Sequence, residues 1–233
     1  MKYITDMHIH TSRFGGCASA SAEETVNCYL NSGITSIVLT NHISEKAMNV
    51  LGYDRCEWNG FCDEFVDEAN RAKSAADGSL NVLLGAEFRD SNTGSDYLIY
   101  GLDGEKLREL GCVFGMKFRD ISARIHDIGC LVYQAHPFRN GQIITNPEYL
   151  DGIETVNFNY KVDSRNDMAR IWAERMNMRG VCGSDFHHVT SAIGGGIVTD
   201  EPITDNSMLL DVLKKGNYGI ERYRDERSTW KEF

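Results

Sequence analysis

The chain has no apolar run of the roughly 18 residues needed to span a bilayer, and its N-terminus lacks a basic segment followed by an apolar stretch. Neither a membrane span nor a secretory leader is expected, and the protein should be soluble and cytoplasmic. Positive charge is also scarce. Lysine and arginine number 24 against 34 acidic residues, a formal net charge of -10 that repels polyanions and makes long nucleic acid an unlikely primary partner. The seven cysteines, at 17, 28, 56, 62, 112, 130 and 182, are odd in number and show no CxxC spacing, which argues against a disulfide framework and for a reducing compartment. A glycine-rich nucleotide fingerprint at a strand-to-helix turn is missing too. The late run Gly194-Gly195-Gly196 reads as a turn or a close backbone approach.

What is present is enough apolar material, 42% of 233 residues, for one substantial core, so a single domain over residues 1–233 is expected. Short apolar runs at 3–10, 36–39, 81–87, 97–100, 130–135, 152–156 and 180–183 read as strands. Helical segments lie between them. One starts at Ser21 as N-cap, with Glu23 and Glu24 in its first turn, and should run to Ser32. Others cover about 61–76, 117–128 and 164–176, the last with Met168, Ile171, Trp172 and Met176 along one stripe. Lys214-Lys215-Gly216 looks like a helix end. Strands alternating with helices imply an α/β protein with seven parallel strands covered by helices, closed or nearly closed into a barrel.

The first strand carries His8 and His10, two apart and so on one face, where both can grip one ion. Later strand ends add His42, Glu87, His136, Asp185 and His187, and in parallel barrels the carboxyl-end rim is where functional side chains converge. Imidazole and carboxylate together suit zinc, manganese or iron. The donors exceed what one tetrahedral ion needs, so two or three divalent ions are expected, and clustered ions favour displacement at phosphorus. His126 and His188 read as structural. Arg139, three residues past His136, either pairs with phosphate oxygens or is an exposed loop arginine, with Arg13 and Arg89 as weaker candidates for the same task. Asp6 shares the face of His8 and His10; it either orients a ligand or makes a strand-end hydrogen bond.

The motifs Asp6-Met7-His8-Ile9-His10-Thr11, Thr40-Asn41-His42, Gly85-Ala86-Glu87-Phe88, Ala135-His136-Pro137-Phe138-Arg139 and Gly183-Ser184-Asp185-Phe186-His187 resemble, in order and separation, those of the PHP (polymerase and histidinol phosphatase) superfamily. The resemblance implies a distorted, TIM-like (β/α)7 barrel with a trinuclear metal centre and, usually, phosphoesterase activity. It also implies one ion on His8, His10, Glu87 and Asp185, a second on Glu87 and His136, and a third on His42 and His187. A hydroxide bridging two ions would attack a small phosphorylated metabolite, with Glu87, Asp185 and Arg139 as the catalytic set.

The sequence departs from that pattern in three places. Asn41 stands where members often have aspartate. The fourth strand lacks a further histidine and offers only Asp96, and the first loop offers only Cys17, which a free or buried thiol explains as well. A non-catalytic metal-binding module and a hydrolase of a non-phosphate bond, such as an amide, are the rival readings. Substrate selectivity is expected from the loops at 44–60 and 140–149.

Overall fold

The computed structural model describes residues 2–222. In chain order its elements are β1 (Tyr3–Ile9), α1 (Ala22–Tyr29), β2 (Ser36–Leu39), β3 (His42–Ile43), α2 (Glu45–Leu51), α3 (Trp58–Ala76), β4 (Asn81–Leu84), β5 (Ala86–Arg89), β6 (Asp96–Tyr100), α4 (Gly104–Leu110), α5 (Phe118–Asp127), β7 (Leu131–Gln134), β8 (Gly152–Asn157), α6 (Asn166–Met176), β9 (Arg179–Gly183), β10 (Gly195–Thr199), α7 (Asn206–Lys215) and β11 (Gly219–Arg222).

Local chemistry explains several boundaries. At the start of α1 the Ser21 hydroxyl accepts from the Glu24 N–H at 3.2 Å while the Glu24 carboxylate accepts from the Ser21 N–H at 2.9 Å, a reciprocal capping box. The helix stops at Tyr29, short of the expected Ser32. The end of α7 at Lys215 is as expected, with Gly216 at φ 72 in the left-handed region. Residues 44–60, expected as an irregular loop, instead contain α2 and the start of α3.

The strands form a mixed arrangement in two sheets, ordered β11-β10-β1-β2-β4 and β3-β5-β6-β7-β8-β9. The expectation of seven parallel strands is therefore corrected. β1–β2, β2–β4, β7–β8 and β8–β9 are parallel, but β5–β6, β6–β7 and β1–β10 are antiparallel. A parallel link needs a crossover of a dozen or more residues, whereas β5 and β6 are joined by residues 90–95 alone. That turn is pinned by the Asp90 carboxylate, which accepts from the Asn92 N–H at 2.9 Å and the Thr93 hydroxyl at 2.9 Å.

The expected strand at 81–87 breaks at Gly85, where the chain leaves one sheet for the other. A Cβ there would meet Val38 Cγ1 at 2.8 Å and the Ile99 carbonyl at 3.0 Å, so glycine permits the crossing. The sheets are stitched between β1 and the segment after β9 by His10 N–H to the Phe186 carbonyl (2.9 Å). Met7, Val38, Leu83, Leu98, Tyr133, Val181 and Ile197 pack in one cluster with Leu209, Leu210 and Leu213 of α7. A larger cluster lies under α1 to α5.

Of the stripe expected on α6, only Trp172 packs inward. The helix docks through Ala169 and Ala173, with Trp172 beside them, and leaves Met168, Ile171 and Met176 exposed. Small residues bring the helix close to the sheet, and that decides the buried face. The late glycine run makes close approaches, as expected for one of its two readings: a Cβ on Gly196 would run into the Thr5 carbonyl of β1, and one on Gly194 into the Phe158 ring.

Candidate metal centre

His8 and His10 emerge from β1 with their Nε2 atoms 3.0 Å apart, as alternation along a strand requires. Glu87, on β5, reaches into the space between them. Its Oε1 lies 3.4 Å from His8 Nε2 and 3.1 Å from His136 Nε2, and its Oε2 lies 3.3 Å from His10 Nε2 and 3.1 Å from His42 Nδ1. Asp185 closes the opposite side. Its Oδ1 is 3.5 Å from His8 Nε2, 3.4 Å from His10 Nε2 and 3.3 Å from His187 Nδ1. All seven donors named from the strand ends thus converge, five of them on buried residues.

Among the described residues, four overlapping triplets have donor atoms close enough to share an ion: His8–His10–Glu87, His8–His136–Asp185, Glu87–Asp96–His136 and His10–His42–His187. Asp96, the doubtful fourth-strand residue, is buried in one of them. Its carboxylate accepts from Arg89 Nη1 at 3.1 and 3.0 Å and from Gln142 Nε2 at 3.1 Å. The donors fit a divalent centre on their own chemistry: hard carboxylates and imidazoles, no thiolate, and buried Nδ1 atoms of His10 and His136 without a hydrogen-bond partner.

Charge is distributed unevenly across this cluster. Burial pulls His8 and His10 down, but the surrounding carboxylates outweigh it and hold both above the usual imidazole value, Glu154, Asp185 and Glu87 for His8 and chiefly Asp185 and Glu87 for His10. His42 and His187 are pushed down to about 3 and about 4, first by burial. Burial alone would raise Glu87 and Asp185; the imidazoles around them hold both well below the usual carboxylate range. Asp96 is pushed up to about 6 by burial and by the neighbouring Glu87 charge.

Two donors sit on strained backbone. His136 and Asp185 have φ of 27° and 48°, a region that non-glycine residues rarely enter and that costs of order 1–3 kcal/mol each. Hydrogen bonds hold them there. The His136 N–H donates to Glu154 Oε2 at 2.9 Å, and Ser184 N–H, next to Asp185, donates to Asp6 Oδ1 at 2.9 Å.

A family model described as PHP-associated matches residues 163–218, which hold Asp185 and His187. A two-domain protein of Bacteroides vulgatus containing a predicted PHP-like metal-dependent phosphoesterase superposes with a TM-score of 0.67 at 15% identity, over 95% of this chain and 65% of that one. The chain shares the fold of that structure, and its match to the PHP-associated model is confined to residues 163–218. A lesion-specific endonuclease of Pyrococcus furiosus superposes at TM-score 0.66 and 12% identity, over 94% of this chain and 58% of that one. An amidohydrolase of Chromobacterium violaceum does so at 0.55 and 14%, over 96% and 99%. The chain thus spans under two thirds of the length of the first two. No curated protein matches it significantly in sequence.

Beside the donor cluster, Glu154 makes a contact that the sequence reading missed. Fully buried on β8, its Oε1 meets His8 Nδ1 at 2.9 Å, the carboxylate–imidazole contact that fixes a metal-binding ring and its tautomer. Its Oε2 also takes the His136 N–H and, at 3.0 Å, Asn157 Nδ2. The available signal was a lone charge inside an apolar strand, since carboxylates are almost never fully buried unless paired.

Asp6 makes strand hydrogen bonds and also braces the segment that carries Asp185: Oδ1 accepts the His8 N–H at 3.2 Å as well as that of Ser184, and Oδ2 accepts from the Tyr29 hydroxyl at 2.8 Å. Its carboxyl is pushed up to about 6 by burial. Asn41 is likewise structural, accepting the Thr11 N–H at 2.8 Å. Arg139 Nη2 donates to Asp185 Oδ2 (2.9 Å), Asn157 Oδ1 (3.1 Å) and Ser164 Oγ (2.9 Å), so it grips the centre itself. Arg13 is tied to Glu64, His126 to Asp151 and His188 to Ser19, all apart from the donor cluster. Cys17 joins no triplet but lines a cavity that includes His187.

Proposed function

We propose that this chain is a metal-dependent phosphoesterase acting on a small phosphorylated metabolite in the cytoplasm, on a TIM-like barrel that the two stitched sheets approximate. The observation that carries this reading is Glu87, which lies within 3.4 Å of four imidazoles and belongs to two different donor triplets. A carboxylate so placed can join neighbouring ions, and a multi-ion centre suits displacement at phosphorus.

His8, His10, Glu87 and Asp185 would hold one divalent ion (zinc, manganese or iron), Glu87, His136 and Asp96 a second, and His42 and His187 a third. Bound there, such ions supply Lewis acidity and a water of lowered pKa. The protein's part is to keep the donors fixed. Glu154 orients His8, Arg139 and Asn159 hold Asp185, and the neutral rings of His42 and His187 are already in the form that binds a cation. Arg139 also places a fixed cation beside the phosphoryl position.

The net charge of -10 disfavours a polymeric nucleic acid substrate, and the burial of the donors favours a small one. The test is a screen of phosphate monoesters, diesters and simple amides with protein loaded with zinc, manganese or iron. Monoester turnover that disappears in Glu87→Gln, together with loss of bound metal, is the expected result. Turnover of amides alone, or of nothing while metal is bound, would replace this reading by one of its two rivals.

A further inference from the structure

A cavity of about 230 Å³ opens beside the donor cluster, lined by Phe158, Asn159, Tyr160, Lys161 and Val162 after β8 and by His187, His188, Ser191 and Ala192 after β9, with Cys17 at its edge. It shares His187 with one donor triplet, and its Asn159 reaches Asp185 Oδ2 at 3.3 Å. The cavity is therefore continuous with the centre and sits to one side of it. The two loops are held together across it by the Tyr160 hydroxyl, which donates to the Thr190 carbonyl at 3.4 Å. Neither loop is among those expected from the sequence to set selectivity.

Its chemistry is specific in three respects. Phe158, Tyr160 and Val162 supply an apolar and aromatic wall, Tyr160 and Val162 being 44% and 40% exposed. Lys161 is an exposed cation that makes no ion pair among the described residues, though the surrounding protein is acidic. The volume falls below the roughly 300–1,000 Å³ of cavities that enclose a drug-sized ligand, which restricts the occupant to about one ring.

Resting on the phosphoesterase reading, we propose that this cavity receives the leaving group, and that the preferred substrate is a monoester of a compact, partly apolar alcohol or phenol bearing a second anionic group, which Lys161 selects. The phosphoryl group would lie at the donor cluster, the ring against Phe158 and Tyr160, and the second anion at Lys161. An unpaired lysine at the mouth of a cavity within a protein of net charge -10 is a local attraction for one added negative charge.

The experiment compares phenyl phosphate with 3-carboxyphenyl phosphate on manganese-loaded protein, and measures binding of 3-hydroxybenzoate to the metal-free protein by NMR titration. The parent should favour the carboxylated ester. Lys161→Ala should reduce the ratio of kcat/KM between the two esters by about five-fold, the scale of a solvent-screened ion pair, and Lys161→Glu should reduce it further. Added salt should shrink the parent's preference. In the titration the amides of residues 158–162 and 187–192 should shift, and the shifts should weaken in Lys161→Glu.

Turnover of both esters with a ratio unchanged in both variants would overturn the proposal and leave the phosphoesterase reading standing. Absence of any turnover, with Lys161-dependent binding intact, would sink the phosphoesterase reading and retain the cavity as an anion-selective subsite. Absence of both turnover and Lys161-dependent binding would overturn the two together.

Discussion

At the scale of single residues, the carboxylate of Glu154 holds His8 Nδ1 at 2.9 Å and so fixes which ring nitrogen faces the donor cluster. Glu154→Gln keeps the size of the side chain and removes the charge. The fold should survive, and metal affinity should fall by about 10–100-fold, as measured by calorimetric titration with circular dichroism as the control for folding. Unchanged affinity would mean that Glu154 serves only the His136 backbone. Arg139 shows a related shift in role: expected from the sequence to face phosphate oxygens, it grips Asp185, so under the proposed function its removal should disturb a metal donor as well as the phosphoryl group.

At the scale of elements, β1 is the strand on which most depends, since it bears His8, leads directly into His10 and is flanked by both β2 and β10. Gly196 lets β10 lie against Thr5, and an added Cβ would strike the Thr5 carbonyl, which is backbone and cannot rotate away. Gly196→Ala should therefore destabilise by about 3 kcal/mol, lowering Tm by roughly 6–12 °C in a thermal melt, and weaken metal binding through the displaced β1. Gly219→Ala, whose Cβ meets nothing within 4 Å, is the control and should melt within about a degree of the parent. The fold elements legible in the sequence were those with a local signature, such as the N-cap at Ser21 and the apolar runs of β2, β7 and β9. Strand direction was not legible. The hairpin from β5 to β6 and the antiparallel seat of β10 depend on which strands meet in space.

At the scale of the whole molecule, the proposed metal binding at the donor cluster should depend on pH. His8 and His10 are held above the usual imidazole value of 6.5, whereas His42 and His187 stay neutral down to about 3 and about 4. Protons must leave His8 and His10 before their nitrogens bind an ion, so affinity should rise with pH above 6.5 and binding should release protons. The stability of the metal-free protein should move the opposite way. A group with a raised folded-state value contributes stability that is complete below its unfolded value, here 6.5, and is lost as pH rises through the folded one. Melting curves above pH 6.5, with and without manganese, should therefore diverge as pH increases. Parallel curves would show that His8 and His10 titrate normally. Among the described residues no helix is long and apolar enough to cross a membrane.

The sequence by itself determined the donor types, their order along the chain and the strand runs that carry them, because alternation along a strand and the ligand chemistry of a side chain are local properties. Tertiary structure alone decided the partners: Glu154 against His8, Arg139 against Asp185, Asp6 on the Ser184 N–H, and the cavity at Lys161. Asp6 and Ser184 are 178 positions apart, and nothing in either's neighbours along the chain encodes their meeting. Such contacts follow from how the sheets twist and where a glycine lets two backbones touch, and these emerge only when the whole core packs at once.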